Sequence, residues 1–145
     1  MSAIVRFERI HSDAKLPSRA TPGSAGLDLC ACESLTVYPG ETKAARLGLR
    51  LALPDGFEGQ IRPRSGLAAR HEVTVLNSPG TIDADFRGEL QVLLVNHGLR
   101  PFSVSTGDRI AQLVIQKLPP VMIEEGPVDE GSTARGAGGF GSTGR

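Results

Sequence analysis

Apolar residues in this chain come in bursts too short for helices and too regularly spaced for loops. They are Ile4-Val5-Arg6-Phe7, Leu27-Asp28-Leu29, Ala45 to Leu51, Val73-Thr74-Val75, Leu90 to Val95, Phe102-Ser103-Val104 and Ile110 to Leu118. Several alternate with period two, and breakers such as Pro39-Gly40, Pro54-Asp55-Gly56, Pro79-Gly80 and Asn96-His97-Gly98 separate them. Many short alternating segments at this spacing predict an all-β protein, a jelly-roll-like barrel or sandwich. One short helix is expected around Ser65 to His71, with Ser65 as its N-cap.

At 145 residues the chain is expected to be a single domain, and one able to bury roughly two thirds of its unfolded surface without disulfides. The boundaries read as a β body over 1–118, an arm over 119–134 rich in Pro, Gly and acid, and a flexible glycine-rich tail over 135–145. Sixteen basic and sixteen acidic side chains cancel, which argues against nucleic acid or an anionic membrane as the main partner. The N-terminus mixes charges into its apolar residues, lacks a signal-peptide core, and no apolar run reaches spanning length. The expected location is the cytoplasm. Cys30 and Cys32, two apart and expected on one face of a strand, read as reduced thiols rather than a bridge. His11, His71 and His97 are scattered without ligand spacing, which argues against a structural metal.

Five blocks carry candidate chemistry. The tail, Arg135-Gly136-Ala137-Gly138-Gly139-Phe140-Gly141-Ser142-Thr143-Gly144-Arg145, combines free backbone amides, hydroxyl donors, guanidinium groups and one flat ring. That inventory suits closure over a nucleotide, with donors for phosphate and an aromatic plate for a base, although an inert tail has the same composition. Its formal G-x-G-x-x-G neither follows a βαβ strand nor opens a helix, so a Rossmann reading fails on context.

The block Asn77-Ser78-Pro79-Gly80-Thr81-Ile82-Asp83-Ala84-Asp85-Phe86-Arg87-Gly88 reads either as a solvated hairpin or as a site. In the hairpin, Asp83 and Asp85 are expected on one strand face. As a site, an aspartate serves as general base for water, Asn77 reads a base edge, and Phe86 packs on a sugar or base. Arg62-Pro63-Arg64-Ser65-Gly66 places cations and a hydroxyl at the expected helix start, either a capped helix or a phosphate site. In Gly107-Asp108-Arg109-Ile110-Ala111-Gln112, the amide of Gln112 sits in an apolar strand and needs a partner, because burying it unpaired costs about 1–3 kcal/mol. Asp28, between Leu27 and Leu29, faces outward or holds water around a cation that escorts a polyphosphate.

Taken in order, these blocks resemble the five motifs of the trimeric dUTPases, from Ala25 to Gly144. The resemblance implies a jelly-roll homotrimer with three active sites, each built from three chains, that hydrolyses dUTP to dUMP and pyrophosphate with Mg2+. That activity keeps dUTP low for DNA synthesis and supplies dUMP for thymidylate synthesis. It implies roles residue by residue. Asp83 activates the attacking water and meets the sugar 3'-hydroxyl. Asn77, with the hairpin backbone at Gly80 and Thr81, reads uracil. Arg64, Ser65, Gly66 and Gln112 contact phosphate, and Asp28 acts on Mg2+ through water at most. Arg135 engages the γ-phosphate, Phe140 covers uracil, and Gly141, Ser142 and Thr143 close over the phosphates. Phe86 stands where many members of that family carry Tyr, which keeps the steric block against a 2'-hydroxyl and loses the phenol's hydrogen bond. A related deaminase of dCTP is disfavoured because it needs a Glu close to the base, and Glu89 comes only beyond Gly88. A nucleotide-gated regulatory protein remains the alternative from outside enzymology.

Overall fold

The computed structural model describes residues 2–144. Ten strands form it: β1 (Arg6–Arg9), β2 (Leu27–Cys30), β3 (Leu35–Val37), β4 (Thr42–Ala52), β5 (Phe57–Arg62), β6 (Val73–Val75), β7 (Gly80–Ile82), β8 (Glu89–Asn96), β9 (Phe102–Val104) and β10 (Arg109–Lys117). A single helix, α1 (Ser65–His71), lies between β5 and β6. The strands make a sheet of order β1-β4-β8-β6, a second of order β2-β10-β5-β7, and a small pair β3-β9, all antiparallel. This is the jelly-roll-like architecture that the spacing of apolar bursts predicts.

The inward positions of both large sheets meet in one core. Leu47, Leu49, Leu51, Val92 and Leu94 come from the first sheet, and Leu29, Ile61, Ile82 and Leu113 from the second. Each buried aliphatic side chain contributes about 1.5–3 kcal/mol, so the sandwich needs no covalent staple. Both cysteines are free. The shared strand face expected for them is corrected, since β2 ends at Cys30 and Cys32 lies buried beyond it. Burial raises both thiol pKa values above the ordinary range.

Two local devices shape the body. The β4–β8 ladder shifts between Arg46 and Arg50, a bulge centred on Gly48. Gly48 has φ of +67°, and a Cβ there would meet His11, Ala14 and the Cys32 sulfur, so no other residue suits this bend. At the end of β8 the wholly buried Asn96 ties the end of β3 to the loop between β8 and β9. Its Nδ2 donates to the carbonyls of Val37 (2.9 Å) and Arg100 (2.7 Å), and its Oδ1 accepts from the Gly98 amide (2.8 Å).

Strand β1 pairs with β4 of its own chain. It starts two residues later than the burst at Ile4. The body ends with β10 and a hydrogen bond from the Leu118 amide to the Gly56 carbonyl (2.8 Å). From Pro119 the described residues form no strand, and their helical segment is a 3-10 turn at Glu130–Ser132. No helix among the described residues is long and apolar enough to cross a membrane.

Asn96→Ala is expected to lower unfolding stability by about 3 kcal/mol, because it strands two carbonyls and an amide in the interior. Urea unfolding checks this, and a loss below about 0.5 kcal/mol would show that the β8–β9 loop and the end of β3 hold without the amide.

Candidate active site

The residues singled out in the sequence gather into three groups. The first follows from strand register. In the second sheet Gln112 stands opposite Asp28 on one side and Arg62 on the other, which aligns three motifs across three strands. Gln112 Nε2 donates to the Pro63 carbonyl at 2.9 Å, the partner that a half-buried amide requires. The Gln112 side chain occupies the space where a Cβ on Gly26 would lie, so Gly26 must stay bare. Arg109 Nη1 lies 3.5 Å from Asp28 Oδ2, and Arg64 Nη1 donates to the Arg109 carbonyl at 3.1 Å. Arg64 and Arg109 line a recess of about 400 Å³. Sequence reasoning passed over Arg109 as a partner of Asp28. The signal was the antiparallel offset between β2 and β10, which no local pattern carries.

Helix α1 starts at Ser65 as expected, but the N-cap is Arg64, which makes no side-chain capping bond. The expected capping role of Ser65 is therefore corrected. Arg64 keeps extended backbone (φ −93°, ψ 130°), so the helix begins after it. With Ser65 inside the first turn, the free first-turn amides face the same end as Arg64. The first helical bond recorded there runs from the Ala68 amide to the Arg64 carbonyl, 3.1 Å.

The second group is the hairpin on β7, the edge strand beside β5 in that sheet. It lines a cleft of about 270 Å³ with Asn77, Gly80, Thr81, Asp83, Phe86 and Glu89, walled by Ile61, Ile82 and Leu90. That volume is near the lower bound of small-molecule pockets, room for a base and part of a sugar. Gly80 is buried, and its backbone packs under the Asn77 side chain: a Cβ there would lie 3.2 Å from Asn77 Nδ2. Asp83 and Asp85 do not share a strand face. Strand β7 ends at Ile82, and the chain enters a turn closed by the Phe86 amide donating to the Asp83 carbonyl (3.2 Å). Arg87 tightens this turn, because its Nη1 donates to the carbonyls of Ala84 (2.7 Å) and Phe86 (2.8 Å). Asp83 is left exposed at the mouth of the cleft with the Phe86 ring beside it.

Glu89 lines the same cleft, nearer to it than its place in the sequence suggests. It is not free to move protons. Arg46 Nε lies 3.0 Å from Oε2 and Nη2 lies 2.9 Å from Oε1, a fork that holds the Glu89 carboxyl below the usual carboxylate range. Glu33 adds a weaker contact to Arg46 at 3.7 Å.

The third group, the tail, makes only local hydrogen bonds among its described residues. Arg135 Nε donates to the Gly138 carbonyl (2.7 Å), and Phe140 is wholly exposed with φ of +49°. Ser142 closes a turn on the Gly139 carbonyl (3.0 Å). Gly141 and Thr143 are exposed, and Arg145 lies outside the described residues.

A mostly β domain with a base-sized cleft at one edge of a sheet and a cation and amide cluster across its other strands has the parts of a nucleotide-handling protein. The dUTPase family model matches residues 12–144. The deoxyuridine 5'-triphosphate nucleotidohydrolase of Wolinella succinogenes is 51% identical over 142 residues, 97% of this chain and 94% of that protein. The protein of the same name from Anaeromyxobacter sp. (strain Fw109-5) is 56% identical over 132 residues, covering 90% of this chain and 88% of its own length. This chain belongs to the dUTPase family. Its fold superposes on a mutant dUTPase of Staphylococcus bacteriophage 80alpha with dUpNHpp, at a TM-score of 0.91, 22% identity and coverage of 99% and 100%. The dUTPase of phage phi11 of S. aureus, described with a structural Mg(II) ion, gives 0.81 at 20% identity and coverage of 88% and 99%.

Because Arg46 lowers the Glu89 carboxyl pKa, the pair stabilises the fold above the ordinary value of about 4.3, and that contribution is lost as pH falls through the lowered folded value. Glu89→Gln is expected to lower stability near neutrality and flatten the acid side of the curve. Urea midpoints taken between about pH 3 and 7 test this, and parallel curves for the two proteins would exclude the linkage.

Proposed function

We propose that the chain hydrolyses dUTP to dUMP and pyrophosphate, with Asp83 as the residue that orients and deprotonates the attacking water. The observation that carries this reading is Asp83 itself, exposed at the mouth of a base-sized cleft with Asn77 and Phe86 as neighbours. Asn77 is an amide with a donor and an acceptor for the edge of uracil, and the narrow hairpin at Gly80 and Thr81 leaves little room for a 5-methyl group. Phe86 packs against deoxyribose, where an added 2'-hydroxyl would meet an apolar ring. The water oxygen attacks the α-phosphorus in line while its proton passes to the Asp83 carboxylate. The bond from the α-phosphorus to the bridging oxygen breaks, and pyrophosphate leaves without a covalent enzyme intermediate. Arg64, Ser65, Gly66 and Gln112 stabilise the growing charge on the phosphates. The product dUMP then serves thymidylate synthesis, and the removal of dUTP protects DNA synthesis.

The donor set fits Mg2+ carried by the substrate. Among the described residues no group of three His, Cys, Asp or Glu could hold a metal alone, whereas Mg2+ commonly keeps several waters and takes its other ligands from phosphate oxygens. Asp28, already 3.5 Å from Arg109, suits a water-mediated contact and no more. When bound, Mg2+ supplies neutralising charge on the polyphosphate.

The cluster and the cleft are neighbours in one sheet, since Arg64 to Gly66 follow β5 and β5 pairs directly with β7. The described tail residues make only short-range hydrogen bonds, which supports a homotrimer with shared sites, in which the tail closes over a site of another copy. In that assembly Arg135, Phe140, Gly141, Ser142 and Thr143 close over the bound nucleotide and exclude bulk water. Deamination of dCTP is less consistent with the site, because the Glu89 carboxylate is engaged by Arg46.

Asp83→Asn is expected to keep dUTP binding within a few-fold while turnover falls about 10²–10⁴-fold, the range for loss of a general base. Calorimetric titration with dUTP and a pyrophosphate-release assay measure the two quantities, and unchanged turnover rejects Asp83 as the base. A chain ending at residue 134 is expected to retain its oligomeric state by light scattering and to lose most of its turnover. If it becomes monomeric, the tail is an assembly element rather than a lid.

A further inference from the structure

The aromatic ring beside the cleft lacks the polar anchor that a tyrosine carries, so something else must hold it. Phe86 is 42% exposed at the edge of the cleft. What lies against it is the bare backbone of Gly88. A Cβ built on Gly88 would stand 2.7 Å from Cζ and 3.0 Å from Cε2 of Phe86, inside any real carbon contact. The other side of the turn is tied by Arg87, whose guanidinium grips the carbonyls of Ala84 (2.7 Å) and Phe86 (2.8 Å). The next residue, Glu89, is anchored to Arg46 on the neighbouring strand β4. The ring thus rests on a backbone seat that is clamped on both flanks.

We propose that Gly88 is a specificity-determining positioning residue, whose missing side chain sets the depth of the Phe86 ring in the cleft and so the preference for deoxyribose over ribose. This rests on the reading of Phe86 as the residue that meets the sugar. The physical step is steric. A methyl group at Gly88 cannot share space with the ring, so the ring rises or turns, and the room it denies to a 2'-hydroxyl changes. Gly88 does not adopt the left-handed backbone region, so alanine adds bulk there without backbone strain. Arg87→Lys reaches the same ring from the other side. Both carbonyls are held by one nitrogen, Nη1, and the ammonium of a lysine, on a shorter and more flexible stem, fixes them less firmly, while the exposed side chain leaves the fold intact.

The experiment is a double-mutant cycle on kcat/KM for dUTP and UTP, with Gly88→Ala, Phe86→Leu, the pair together, and Arg87→Lys alone. Gly88→Ala is expected to lower the dUTP-over-UTP preference about tenfold, within the range that steric fit in a pocket supplies. In the Phe86→Leu background the same substitution is expected to change the preference less than twofold, because the ring through which it acts is gone. Arg87→Lys is expected to lower the preference severalfold with little change in melting temperature. An equal effect of Gly88→Ala in both backgrounds overturns the inference, since Gly88 would then act independently of the ring. So does an unchanged preference in Gly88→Ala when Phe86→Leu does alter it, and that result leaves the sugar role of Phe86 standing. If Phe86→Leu itself leaves the preference unchanged, the sugar role falls and takes the inference with it. Should Gly88→Ala not fold, Arg87→Lys decides, and an unaltered preference there counts against the clamped seat.

Discussion

The position of β10 between β2 and β5 is the constraint on which the site depends. Leu113 and Val114 are buried in this strand while Gln112 is only half-buried. A slip of one residue would turn Leu113 outward and press Gln112 into the core. Burial of such a side chain contributes about 1.5–3 kcal/mol, whereas an exposed ion pair such as Asp28 with Arg109 contributes roughly 0–1 kcal/mol. The core therefore decides the register, and the polar row of Asp28, Gln112 and Arg62 is its consequence. A site that inherits its geometry from apolar packing stays aligned whether or not a ligand is present.

The same sheet sets the functional groups side by side. Strand β5 carries Arg62 opposite Gln112 on one flank and pairs with β7 of the cleft hairpin on the other. Ile61 of that strand walls the cleft, and Arg64 to Gly66 follow it directly. The chain leaving the hairpin enters β8 of the other sheet at Glu89, which the Arg46 fork ties to β4 of that sheet.

Strand content was legible where side chains alternate strongly. Ala45 to Leu51, Leu90 to Val95 and Ile110 onward each mark a long strand, and Ser65 to His71 marks the helix. Strand β5 escaped notice because its inward positions are Gly59 and Ile61, and a glycine carries no hydrophobic signal although it is buried. The cleft residues Asn77, Asp83 and Phe86 were legible as a block of turn formers and polar groups. Their local geometry was not, because Asp83 lies one residue past a strand that hydrogen bonding to β5 ends at Ile82. Glu89 looked remote from the base because sequence distance counts residues, whereas the turn at Asp83 to Phe86 folds the chain back on itself.

By itself the sequence determined the class of fold and the chemical inventory. Period-two alternation has one stable outcome, a pleated sheet with one face buried, and the side chains for a base, a sugar and a triphosphate are written in order along the chain. Only the tertiary structure decided which of these groups meet. Register across β2, β10 and β5 joined Asp28, Gln112 and Arg109, the bulge at Gly48 set the stretch of β4 from which Arg46 reaches Glu89, and Gly88 came under the Phe86 ring. These are non-local pairings whose partners are chosen by the packing of the whole core, and a one-dimensional pattern holds no record of that choice.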